Sequence, residues 1–142
     1  VRNVKGVWSR ANTNSIFIEL GILKVRDLIE YNQIILGHGI WYETLPENIR
    51  LDFEPLVVKG RETRAAGNLN LKIPFCNKAL FQSAPCYTVP TAWNTVKIET
   101  KKIIKINSFK SKLKKNYFDA YRSEPECTRD ECYSCTGSLR RA

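Results

Sequence analysis

Five of the six prolines of this chain fall between Pro46 and Pro90, and that clustering decides where long regular elements can form. Proline lacks a backbone N–H and clashes with the preceding turn, so it disrupts helix interiors and central strands. With Gly60, Gly67 and the polar run Arg61-Glu62-Thr63-Arg64, the prolines predict a loop-rich centre flanked by two segments free to coil. Within the centre, Leu69, Leu71 and Ile73 alternate with Asn70 and Lys72, the period of a short strand ending at Pro74. A single helical turn is expected from Asn77 to Phe81.

In the first flank, Val25, Leu28, Ile29, Ile35 and Leu36 recur at helical spacing, while Lys24, Arg26, Asp27, Glu30 and Gln33 take the opposite face. The pattern predicts an amphipathic helix from Val25 to an interruption at Gly37-His38-Gly39, resuming through Ile40, Trp41 and Tyr42. Upstream, Ser15 to Leu23 is too densely apolar to separate helix from strand; Asn14 or Ser15 suits a helix cap and Gly21 a helix end. In the last third, Asn107 or Ser108 is the expected cap of a helix. Its Phe109, Leu113, Tyr117 and Tyr121 repeat every four residues, with lysines on the other faces.

These elements predict a mainly α-helical, irregular α+β fold: a helical hairpin, a loop-rich centre with a short strand, and a C-terminal basic amphipathic helix. The expected core is Leu28, Ile35, Trp41, Phe53, Phe81, Trp93, Phe109 and Leu113. At 142 residues and 43% apolar composition, a single domain is expected over residues 1–121. The tail, 122–142, has little to bury and is expected to stay disordered unless metal-bound. No apolar run reaches the ~20 residues of a membrane span and no signal-peptide pattern opens the chain, so an intracellular setting without membrane contact is expected. A chain that begins at Val1 and holds no Met is expected to be an excerpt of a longer protein.

The net charge of +9 is unevenly spread. Residues 97–115 carry eight basic side chains and one acidic, a local excess of +7, whereas the flanking segments are close to balance. Such a stretch is either a phosphate-contacting footprint or a solvated helix face. Arg61 and Arg64, whose guanidinium groups can fork onto phosphate oxygens, join Lys101, Lys102, Lys105, Lys110, Lys112, Lys114 and Lys115 as the candidate contacts to RNA or DNA. Tyr87, Trp93 and Tyr117 lie among these segments and suit base stacking, although Trp93 and Phe109 fit a core role better.

Catalytic patterns are lacking. Polymerase chemistry needs converging carboxylates on Mg²⁺, and the only adjacent acidic pair is Asp130-Glu131. His38 is the sole histidine, with nothing to place a nucleophile beside it. The five cysteines, with no secretory signal, argue for thiols rather than disulfides. Cys127, Cys132 and Cys135 could hold zinc with a fourth ligand from Cys76, Cys86 or His38, or remain reduced and unliganded.

The order of landmarks is more specific than any one of them. Leu20-Gly21-Ile22-Leu23, an amphipathic helix, Leu45-Pro46 with Phe53, Arg61-x-Thr63-Arg64, the strand ending at Pro74, Phe81, Pro90-x-x-Trp93-Asn94 and Phe109-Lys110-x-x-Leu113-Lys114 follow one another. This succession, from about Ser15 to Tyr121, resembles the region after the polymerase core in LINE-type (non-LTR) retrotransposon reverse transcriptases, especially Jockey-like and CR-type elements. The resemblance implies a non-catalytic, thumb-side part of an RNA-directed DNA polymerase. Its partners would be template RNA or target DNA and the polymerase core of the same parent protein, with Mg²⁺ confined to a palm outside this chain and a nuclear setting. Two departures stand: Thr95-Val96-Lys97 replaces the usual Leu-Pro after Trp-Asn, and the tail lacks the histidine of the family's Cys-Cys-His-Cys knuckle. The competing expectations are a zinc-stabilised structural or protein-interaction module without a nucleic-acid role, and a degenerate reading frame under no constraint.

Overall fold

A computed structural model describes residues 13–56 and 68–123, together with Gly6. Among the described residues there are seven helices: α1 (Asn14–Glu19), α2 (Val25–Trp41), α3 (Glu47–Arg50), α4 (Ala79–Gln82), α5 (Pro85–Thr95), α6 (Ile98–Lys101) and α7 (Ile106–Ser123). The mainly helical class follows. The β component shrinks, among the described residues, to one antiparallel bridge between Pro55 and Leu71. No described helix is long and apolar enough to cross a membrane. By contacts the chain forms two compact units, Val1–Val25 with Lys114–Ala142, and Arg26–Leu113.

In the first unit, α1 buries Asn14 and Ile16. Neither Asn14 nor Ser15 caps it. Thr13 holds the cap position without a side-chain hydrogen bond, and the Asn14 amide instead donates to the Tyr121 carbonyl on α7 at 3.3 Å. The helix ends where Gly21 adopts a φ of +63°. Gly21 N–H donates to Ile18 O and Ile22 N–H to Phe17 O, both at 3.1 Å. That pair of bonds is the Schellman arrangement, which places its left-handed residue at glycine because a Cβ is disfavoured there. Tyr121 anchors the unit: its hydroxyl accepts from Lys24 N–H at 3.1 Å, and the Lys24 ammonium lies 4.7 Å from its ring centre.

In the second unit, α2 corrects two expectations. It runs unbroken through Gly37-His38-Gly39, and its buried residues are Ile34, Gly37, His38, Gly39 and Ile40. The stripe that looked apolar is turned outward, with Val25 75%, Leu28 44% and Ile29 56% exposed. Gly37 is the reason for the rotation. A Cβ there would lie 2.9 Å from the Cβ of Trp93, so the absent side chain lets α2 and α5 approach backbone to side chain. Gly39 plays the same part beneath Leu45, 2.8 Å from a hypothetical Cβ.

Helix α5 occupies what the prolines marked as loop. Pro85 sits at its first turn, where no N–H is needed. Pro90 lies inside and removes the bond to the Cys86 carbonyl, a cost of about 3 kcal/mol. Burial of Val89, Pro90, Ala92 and Trp93 on that helix offsets the loss. The expected strand from Leu69 to Ile73 is reduced to the single bridge at Leu71, because Leu69 adopts a φ of +53° and breaks the extended run. Of the expected core, Trp93, Phe109 and Leu113 are buried, Ile35, Trp41 and Phe53 are half-buried, and Leu28 and Phe81 are exposed. Helix α7 begins at Ile106, before either expected cap.

Candidate nucleic-acid interface

The basic stretch divides by face and by unit. In the second unit, Lys97, Lys102, Lys105 and Lys112 are exposed and Lys110 is half-buried. In the first unit, Lys115 is exposed, and half-buried Lys114 holds its ammonium 5.6 Å from the Phe118 ring centre one turn on. Along α7 the buried residues Phe109, Leu113 and Tyr121 define one side. At 100° per residue, Lys112 and Lys115 fall on the other side. Among the described residues, none of Lys102, Lys105, Lys110, Lys112 and Lys115 has a carboxylate partner, so their charge is not neutralised locally.

Lys101 must be removed from the phosphate contacts. It is 1% exposed, and its ammonium donates to Asn70 Oδ1 at 2.7 Å and Asn68 O at 3.2 Å, lying 5.4 Å from the Trp93 ring centre. Charge alone marked it for the surface; the α6 turn carries it inward, and three neutral partners take the place of water. Burial pushes its pKa down to about 8. The folded chain therefore holds this proton less tightly than the unfolded chain, whose lysine titrates near 10.5. Stability should rise as the pH goes from about 8 to about 10, at up to roughly 1.4 kcal/mol per pH unit. Urea melts across that range should show the rise in the parent protein and lose it in Lys101→Met. A flat parent profile would place the ammonium in water.

Lys101 is one part of a clamp on the segment 68–72. Asn94 receives the Leu71 N–H on Oδ1 at 2.9 Å and donates from Nδ2 to Leu71 O at 2.8 Å, and Trp93 Nε1–H donates to Leu69 O at 2.7 Å. The Trp93-Asn94 pair thus serves structure rather than base stacking. On its other edge the segment pairs with 54–56: Leu56 N–H donates to Asn70 O and Lys72 N–H to Glu54 O, both at 2.8 Å. Pro55 stands at the non-hydrogen-bonded position of the pair, where a missing N–H costs nothing. The Lys72 ammonium bonds Glu54 at 2.6 Å and holds that carboxyl below its ordinary range, chiefly through the hydrogen bond. Arg61 and Arg64, with the rest of residues 57–67, lie outside the described residues.

His38 belongs to the core. It is fully buried, and Nε2–H donates to Ile103 O at 2.9 Å, which fixes the tautomer because a carbonyl only accepts. Its ring packs on Phe109 at 4.4 Å, Tyr42 at 4.6 Å and Trp93 at 6.3 Å between centres. The sequence places this residue in an expected helix interruption and among the possible fourth zinc ligands. With Nε2 committed to Ile103 and the ring enclosed by aromatics, it is poorly placed as a fourth zinc ligand. Cys76 and Cys86 are half-buried free thiols. Cys127, Cys132 and Cys135 lie outside the described residues. Among the described residues, no three His, Cys, Asp or Glu side chains come together as a metal-holding group.

Comparison with models of known protein families, with curated proteins and with solved structures finds no match to this chain.

Proposed function

We propose that this chain is a phosphate-contacting, non-catalytic C-terminal part of an RNA-directed DNA polymerase of the LINE type, holding template RNA or target DNA beside a polymerase core located elsewhere in the parent protein, in the nucleus. The observation that carries the proposal is the set of exposed lysines in the second unit, Lys102, Lys105 and Lys112, which no carboxylate neutralises among the described residues. Ammonium groups in that state displace condensed counterions from a phosphate backbone, and binding then weakens with added salt. The order of landmarks from Leu20 to Lys114 supports the polymerase assignment, and the net charge of +9 supports a polyanionic partner.

The test is a salt titration. Reversing Lys102, Lys105 and Lys112 to glutamate should weaken binding to duplex DNA and to RNA by at least about tenfold, and should flatten the slope of log K against log salt by roughly 0.9 for each phosphate no longer neutralised. Lys101→Met should leave that slope alone, because its ammonium is interior. Unchanged affinity and slope in the triple variant would sink the proposal.

A further inference from the structure

The phosphate contacts are sequence-independent, but the second unit also carries a cleft with different chemistry. Between α2 and α5 lies a depression of about 400 Å³, within the range of small-ligand sites. Ile29 and Ala92 line it as apolar surface, Tyr87 contributes a ring, and Glu30, Gln33 and Gln82 bring polar groups. Among the described residues, the Tyr87 hydroxyl, the Glu30 carboxylate and the Gln33 amide have no hydrogen-bond partner. Gln82 uses its Nε2 on Cys76 O and keeps its Oε1. Tyr87 and Gln82 were of no use to the core, and Ile29 is 56% exposed beside them.

Apolar walls with unused hydrogen-bonding groups suit a flat ligand that has apolar faces and a polar edge. A nucleobase is such a ligand: aromatic side chains take its face and side-chain carboxylates and amides read its edge. Charge places it beside a nucleic-acid strand. Thr95 lines the cleft, and exposed Lys97 follows two residues later, so their Cα atoms are less than about 7.6 Å apart. Glu30 then has a purpose. A carboxylate repels phosphate, but it accepts hydrogen bonds from exocyclic amino groups of bases.

We infer that the α2–α5 cleft binds an unpaired, amino-bearing nucleobase of a single strand, with its face on Tyr87 and its amino group donating to Glu30. The inference rests on the nucleic-acid reading above and adds to it a single-stranded ligand and a base preference.

Binding of equal-length oligo(dA), oligo(dC) and oligo(dT) to the full chain, followed by fluorescence anisotropy, tests it. Oligo(dA) and oligo(dC) should bind about tenfold more tightly than oligo(dT), the discrimination of one good edge contact. Glu30→Gln should abolish that preference and Tyr87→Ala should weaken all three by roughly fivefold to a hundredfold, both without changing the salt slope. Thermal melts of both variants confirm that they remain folded; if Tyr87→Ala does not, Glu30→Gln decides alone. Equal affinity for the three oligomers, or a preference that survives in Glu30→Gln, overturns the base site while leaving the lysine surface standing. Failure to bind any of the three oligomers overturns the base site; failure to bind duplex DNA and RNA as well overturns the lysine surface with it.

Discussion

Replacing Trp93 by alanine is expected to lower the unfolding free energy by about 4 kcal/mol. Three losses combine in that figure. The side chain is fully buried, so truncation leaves a cavity against Phe109, whose ring centre lies 6.0 Å away, and against a glycine with no side chain to fill the space. The Leu69 carbonyl loses its 2.7 Å indole donor, and the Lys101 ammonium loses the ring beneath it. Domains of ordinary stability hold only about 5–15 kcal/mol in total, so the variant should lose a large share of its stability and show a clearly lowered midpoint in a urea titration. Trp93→Phe should recover most of the packing but not the indole bond, costing about 1–2 kcal/mol. A loss under about 1 kcal/mol for the alanine variant would show that α5 does not anchor the second unit.

The second large effect is a response to acid. Burial lowers the pKa of His38 from its usual 6.5, against a smaller opposing contribution from its bond to Ile103 O. The unfolded chain therefore takes up a proton near pH 6.5 that the folded chain refuses, and stability falls as the pH drops below 6.5. The limiting slope is roughly 1.4 kcal/mol per pH unit. His38 is the sole histidine, so between about pH 5 and 6.5 no other side chain with an ordinary pKa titrates. Chemical melts should show a decline over that window in the parent protein and none in His38→Gln, which keeps an N–H donor without a titrating ring. A parent protein indifferent to pH across the window would mean that the imidazole is charged or solvated when folded.

The two buried ionisable groups also explain what the amino-acid sequence concealed. Charge groups Lys101 with its neighbours, because charge is legible in a sequence and facing is not; a single residue step at the end of the four-residue α6 turn, about 100° around the axis, separates its interior position from exposed Lys102. Helix α2 was legible as a helix, but its buried side was not. Hydrophobicity pointed to Val25, Leu28 and Ile29, whereas packing selected a side containing two glycines and a histidine, residues that score as breaks or polar positions. Close approach at Gly37 decides the orientation, and it depends on Trp93, fifty-six positions away. The aromatic period of α7 was local and read correctly at Phe109, Leu113 and Tyr121. Helix α5 was hidden because proline rules describe isolated segments, and the burial of Val89, Ala92 and Trp93 outweighs them here. At the candidate interface the exposed lysines were legible from charge, while the α2–α5 cleft, built from residues on two distant segments, left only Tyr87 as a hint.

Asn94 meets both the donor and the acceptor of Leu71 with one planar amide, a task otherwise given to a neighbouring strand. One side chain thus stands in for a missing piece of sheet: residues 54–56 hold one edge of the Leu71 segment and an amide carried on α5 holds the other. A true strand would spread that task over several residues. Here it falls on one, so the edge accepts no replacement that cannot both donate and accept.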